Sequence, residues 1–72
     1  MTLEKKMELL ADILDLEVSE FTPETHLDEL EWDSVAALSF IAMMDEEFGK
    51  EIKGADIKKF VTVQDALNVM EE

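Results

Sequence analysis

Glu31-Trp32-Asp33-Ser34-Val35 joins a long polar stretch to the most apolar segment of the chain, Val35 to Met44. Asp33 suits a helix N-cap, because its carboxylate can accept from the free amides of the first turn. Ser34 is then the first residue inside the helix, with its hydroxyl at the helix mouth. A helix N-terminus carries partial positive charge and unpaired donors, which suits a phosphate. The layout offers a hydroxyl where a phosphate ester can be made and held. Taken alone, an Asp-Ser pair reads as an ordinary cap, since such pairs are common at helix starts.

Downstream, the spacing predicts a helix from about Ser34 to Phe48, stopped by Gly49. Phe40, Met44 and Phe48, with Ile41 beside them, form a core stripe. Val35, Leu38 and Ala42 form a second apolar stripe elsewhere on the same helix. A small domain has little bulk to cover both, so the second stripe is read either as buried or as a partner-docking face. Asp45, Glu46 and Glu47 sit at the negative end of the helix, where acids cost a little stability. They serve solubility or the binding of basic partners.

Upstream, periodicity fails from Asp15 to Asp33. Single apolar residues at Leu16, Val18, Phe21, Leu27, Leu30 and Trp32 predict a long loop pinned over the ends of a bundle. Thr22-Pro23-Glu24 can start one helical turn. His26, the only histidine, has no nucleophile or metal-ligand cluster at useful spacing and reads as a surface residue. Before the loop, Thr2 caps a first helix whose buried face is Leu3, Met7, Leu10 and Leu14, widened by Ile13.

After Gly49, Lys50 to Gly54 read as a turn and Ala55 to Phe60 as a short helical segment. Thr62-Val63-Gln64-Asp65 resembles a capping box, and Val63, Ala66, Leu67 and Met70 share one helical face. Nothing alternates as a strand. The expected fold is all-α: a small four-helix bundle of three main helices plus a short third one, with a long loop between helices 1 and 2. Residues 1–72 form one domain.

Composition narrows the function. The chain is 47% hydrophobic and 35% charged, which is globular, and has no cysteine, which excludes disulfides and thiolate metal sites. Its net charge of −13 repels nucleic acid and anionic membranes and attracts basic surfaces. No apolar run is long enough to span a bilayer and no secretory signal is evident, so a cytoplasmic protein is expected. Gly-rich phosphate loops, His-Glu-x-x-His spacing and EF-hand patterns are missing. No catalytic residue and no metal site is assigned, and the chain reads as something other proteins act upon.

Asp33-Ser34-Val35, the apolar helix ending Asp45-Glu46-Glu47-Phe48-Gly49, the loop with Leu27 and Leu30, the Lys50-Glu51-Ile52 turn and Val61-Thr62-Val63-Gln64-Asp65-Ala66 together resemble the acyl carrier proteins. The resemblance runs from about Leu3 to Met70. It implies a helical bundle with 4′-phosphopantetheine from coenzyme A esterified to Ser34, and acyl chains held as thioesters on the terminal thiol. Asp33 becomes the neighbour of the attachment site. Val35, Leu38, Ala42, Asp45 and Glu46 become a docking face. The implied partners are a phosphopantetheinyl transferase and acyl-loading and acyl-processing enzymes with basic or apolar faces. The carrier itself is a monomer that neither binds nucleic acid nor inserts into membranes. Met7, Met43, Met44 and Met70 are flexible gap-fillers that either pack a plain core or shift to admit an acyl chain.

The sequence departs from the fatty-acid-synthesis pattern, which usually places acids two and five residues after the modified serine. Here those positions hold Ala36 and Ser39. Glu31-Trp32 stands where small, Gly-rich residues are common. These departures point to a specialised stand-alone carrier. An aminoacyl or peptidyl carrier, or an unmodified acidic helical adaptor, are the alternatives.

Overall fold

The computed structural model describes residues 2–70. The order of elements is α1 (Leu3–Leu14), short 3-10 turns at Val18–Glu20 and Leu27–Glu29, α2 (Ser34–Phe48), α3 (Gly54–Ile57) and α4 (Val63–Val69). The expected four-helix, all-α architecture is present, with α1 packed against α2. Among the described residues the only β-type pairing is an isolated bridge between His26 and Thr62.

Local chemistry sets most boundaries. The Thr2 hydroxyl accepts from the Lys5 N–H at 3.2 Å and starts α1. Asp15 ends it by turning left-handed at φ 57, a conformation that Asp tolerates better than most residues. The N–H of Leu16 then reaches back to the Ala11 carbonyl at 2.9 Å. Gly49 ends α2 at φ 64, where the absence of a Cβ removes the steric cost. Lys50 Nζ donates to the Val69 carbonyl at 3.3 Å, so a cation sits on the negative end of α4 and ties it to the end of α2.

Phe40, Leu10, Met44, Met70 and Val63 are fully buried and form the centre of the core. All four methionines singled out from the sequence lie in this cluster. Trp32 and Phe60 approach Phe40 edge-on, with centroids 5.8 and 5.7 Å away. That geometry sets ring edges against the negative face of a neighbour.

Three sequence expectations change. Leu3 is 56% exposed, because residues 2–5 are exposed all round and the first turn of α1 projects past the packed region. Thr22-Pro23-Glu24 starts no helix. Thr22–Thr25 is instead a β-turn, with Thr25 N–H on the Thr22 carbonyl at 3.0 Å and Thr22 N–H on the Thr25 hydroxyl at 2.9 Å. Pro23 there takes the first central position that its fixed φ suits. The third helix runs Gly54–Ile57 and ends in a turn at Lys58 and Lys59, starting one residue earlier and ending three residues earlier than the Ala55–Phe60 spacing predicts.

The turn has a structural task. The carbonyls of Thr25 and Pro23 accept from Val63 and Gln64 N–H at 2.9 and 2.8 Å, and Leu27 N–H donates to the Val61 carbonyl at 2.9 Å. The long loop is thus stitched to the start of α4, while Phe21 and Leu27 bury beneath it. This places the loop's last residues, Leu30 to Asp33, directly at the head of α2.

Candidate functional site

The head of α2 is built as its sequence implies. Asp33 stands in extended conformation just outside the helix, and its Oδ1 accepts from the Ala36 N–H at 3.0 Å. The Asp33 carbonyl accepts from Ala37 N–H at 2.9 Å. Ser34 follows as the first helical residue and is exposed. Among the described residues no side chain accepts from the amides of Ser34 or Val35, so the helix mouth keeps free donors beside the hydroxyl.

One groove meets this hydroxyl. On one side it is lined by Trp32, Asp33, Ser34 and Ala37, and on the other by Gly54, Ile57, Lys58 and Phe60, enclosing about 380 Å³. Trp32, Ala37, Ile57 and Phe60 make it apolar in depth, and Lys58 is the one cation on its wall. A hollow of about 360 Å³ beside α1, rimmed by Lys5, Glu8, Asp12 and Glu17, contains no hydroxyl, thiol or imidazole. Among the described residues, the α2–α3 groove joins a hydroxyl to an apolar recess.

The expected docking residues share one face. Val35 and Leu38 are 69% and 67% exposed, and Ala42, Asp45 and Glu46 are exposed along the same side of α2. Spacings of three, four, three and one keep them on that side. The opposite side carries Ala36, Phe40, Met43 and Met44, all buried. Ala36, where the fatty-acid-synthesis pattern places an acid, therefore lies on the core side. It begins the core stripe, one turn before Phe40, and is 4% exposed. Ser39 does face solvent.

The loop–α4 junction has its own electrostatics. Asp65 Oδ2 accepts from Val61 N–H at 2.8 Å and Thr62 N–H at 3.0 Å. These two bonds, Val61 first, hold its carboxyl below the ordinary value of 3.8. His26 stays exposed, with Nδ1 4.0 Å from Asp28 Oδ1 and no part in the groove.

The sequence reading singled out Ser34 and Asp33 but gave no sign of the groove beside them. Ala37, Gly54 and Lys58 gave no signal at all. Trp32, Ile57 and Phe60 were visible as apolar residues, and their convergence on one recess depends on the loop and α3 folding toward α2. Among the described residues no cluster of His, Cys, Asp and Glu is placed to hold a metal. No helix among them is long and apolar enough to cross a membrane.

Comparison with known proteins bears on this arrangement. Residues 7–69 match the family described as a phosphopantetheine attachment site. The chain is 37% identical over 71 residues to a protein of Rubrobacter xylanophilus named acyl carrier protein, covering 97% of this chain and 88% of that one. It is 36% identical over 70 residues to a protein of the same name from Solidesulfovibrio magneticus, covering 96% and 90%. No solved structure matches the chain.

Proposed function

The chain belongs to the phosphopantetheine-attachment family, that of the acyl carrier proteins, and from that premise we propose that Ser34 bears the arm and that the α2–α3 groove receives an acyl chain. Proteins of this family are carriers rather than catalysts, and the domain carries a 4′-phosphopantetheine group. When bound, the arm supplies the terminal thiol that a cysteine-free chain lacks, and acyl groups are held on it as thioesters.

The observation that supports Ser34 is its position: an exposed hydroxyl at an open helix mouth, on the rim of an apolar groove. The residues around it fit a phosphodiester. The free amides of Ser34 and Val35 are donors at the positive end of α2. Asp33 keeps its Oδ1 on Ala36 N–H, so the cap does not compete for those amides. Lys58 adds a positive charge on the groove wall, opposite the Asp33 carboxylate. The apolar depth of the groove favours an aliphatic acyl group over an aminoacyl or peptidyl one, whose ammonium and amide groups would lose water without partners.

Partner enzymes are read from α2. Net charge of −13 steers the carrier to basic faces but discriminates poorly among them. Val35, Leu38 and Ala42 supply short-range apolar contact, with Asp45 and Glu46 at the far end. Position 39 holds a neutral serine where housekeeping carriers usually place an acid, so a dedicated enzyme with an apolar docking face suits this surface better than one that expects a carboxylate there.

The test is the intact mass after incubating the apo protein with coenzyme A and a broad-specificity phosphopantetheinyl transferase. Wild type gains one phosphopantetheine. Ser34→Ala gains none and stays folded, within about 0.5 kcal/mol of wild type, as surface substitutions usually do. If wild type stays unmodified with several transferases, the acidic-adaptor reading replaces this one.

A further inference from the structure

Trp32 is the only tryptophan, and two grooves share it. The first is the recess at Ser34. The second, of about 250 Å³, lies on the loop side and is lined by Leu27, Asp28 and Val61. Trp32 and Phe60 are the only residues that line both. They form the ridge between them.

The ridge is braced. Both rings stand edge-on to Phe40, which is fully buried, at 5.8 and 5.7 Å. The Trp32 N–H closes a tight turn on the Leu30 carbonyl at 2.8 Å, and the next residue is fixed by its cap on Ala36. Backbone and ring are therefore held from both sides. Swinging the indole away would forfeit aromatic contact with the core and expose Phe40. The second groove, with Leu27 buried and Val61 exposed, is itself partly apolar and would accept hydrocarbon if it were reached.

We propose that Trp32 is a specificity-determining residue: with Phe60 it partitions the two grooves and confines a carried chain to the recess at Ser34, which sets an upper limit on the chain length that is sheltered. The proposal rests on the reading of Ser34 as the attachment site. A chain that fits the recess lies against Trp32, Ala37 and Ile57. A longer chain meets the ridge and its remainder stays in solvent. Replacing the indole with a smaller side chain joins the recess to the space beside Leu27 and Val61.

The experiment loads the full-length holo protein with hexanoyl or tetradecanoyl groups, checks loading by intact mass, and follows methyl NMR signals. In wild type both chains shift the Ala37 and Ile57 methyls, and neither shifts those of Leu27 and Val61. Trp32 emission changes with the hexanoyl group. In Trp32→Ala the tetradecanoyl group shifts Leu27 and Val61 as well, while the hexanoyl group does not. Trp32→Phe retains an aromatic edge on Phe40 and gives an intermediate shift, and it serves if the alanine variant does not fold. Leu27 and Val61 signals that move with the long chain in wild type, or stay still in whichever variant folds, overturn the partition. A mass that shows no arm on Ser34 is a failure of the attachment reading instead. The same alkyl chains attached as mixed disulfides to Ser34→Cys, the sole thiol in that variant, then test the partition without the arm.

Discussion

Two helices of this protein begin at residues suited to capping, Asp33 at α2 and Thr62 at α4, yet their N-termini end in opposite states. At α4 the start is closed. Val63 and Gln64 amides donate to the Thr25 and Pro23 carbonyls of the long loop, and Asp65 takes the amides of Val61 and Thr62. Two of these donors hold the loop down, and the other two are taken by Asp65 of α4 itself. At α2 the start is open. Asp33 caps one amide, that of Ala36, and leaves the Ser34 hydroxyl and its neighbours facing a groove. A helix N-terminus is a site only where the chain has not already used its donors. The closed start holds the loop in place, and the loop in turn delivers Trp32 and Asp33 to the open one.

The open start is open on one side only, and the sharpest way to break the comparison is to put charge on its other side. Ala36→Asp places a carboxylate at a position that is 4% exposed. We expect a loss of about 2–3 kcal/mol, because an unpartnered carboxylate leaves water and the helix dipole returns at most about 1 kcal/mol. Ser39→Glu, on the solvent side, should stay within about 0.5 kcal/mol in urea unfolding. It should also raise turnover by housekeeping fatty-acid enzymes, if local recognition at that position is what they lack. The same acid placed on the exposed side of α1 is the control for net charge, and an equal gain there would sink the local argument.

At the closed start, Asp65→Ala removes the acceptor of two amides at once. Its melting temperature should fall further than that of Asp33→Ala, where one amide is affected, and hydrogen exchange at Val61, Thr62 and Leu27 should quicken together. The Asp65 carboxyl is held below its ordinary value by the Val61 and Thr62 amides. Its folded form therefore binds a proton less readily than its unfolded form. The stabilisation is complete above the ordinary carboxylate value and disappears as pH falls through the lowered one. Asp65→Asn cannot titrate, so the stability gap between wild type and Asp65→Asn should be constant at neutral pH and shrink in acid below about pH 4. A gap that does not change with pH would remove charge from the account of this junction.

Loss of the cap at the open start should cost less than loss of Asp65. Asp33→Ala should cost about 1 kcal/mol, the usual worth of an N-cap. Asp33→Asn keeps an acceptor oxygen and should be nearly neutral. If Asn costs as much as Ala in thermal unfolding, the carboxylate charge matters at the mouth of α2, and the two helix starts are less different than their hydrogen bonds indicate.

Much of this was legible along the chain, because it depends on neighbours a few residues apart. Thr2, Asp33 and the Thr62–Asp65 pair read as caps, and Gly49 as a stop, since each acts within one turn of itself. Helical spacing set Val35, Leu38 and Ala42 on a stripe apart from Phe40 and Met44 but left open whether that stripe is buried; the structure exposes it. The residues Asp33-Ser34-Val35, with their flanks, pointed to the family that the comparisons then bore out. Periodicity could not say that Ala36 belongs to the core, because alanine carries too little hydrophobic signal to choose a face. Nor could it tell that the first turn of α1 runs past its packing partners and leaves Leu3 in water.

What the tertiary structure alone decided was which distant groups meet. The Thr22–Thr25 turn reaches the amides of α4 only because Phe21 and Leu27 bury beneath it. Trp32 and Phe60, 28 positions apart in the sequence, become two sides of one ridge only because both pack in T-shaped contact with Phe40. The groove beside Ser34 exists because α3 is one turn long and folds back toward α2, which leaves space between them that no local rule specifies. Caps and stripes are set by short-range hydrogen bonding and periodicity. Recesses are what remains when the core has packed, and so they depend on every element at once.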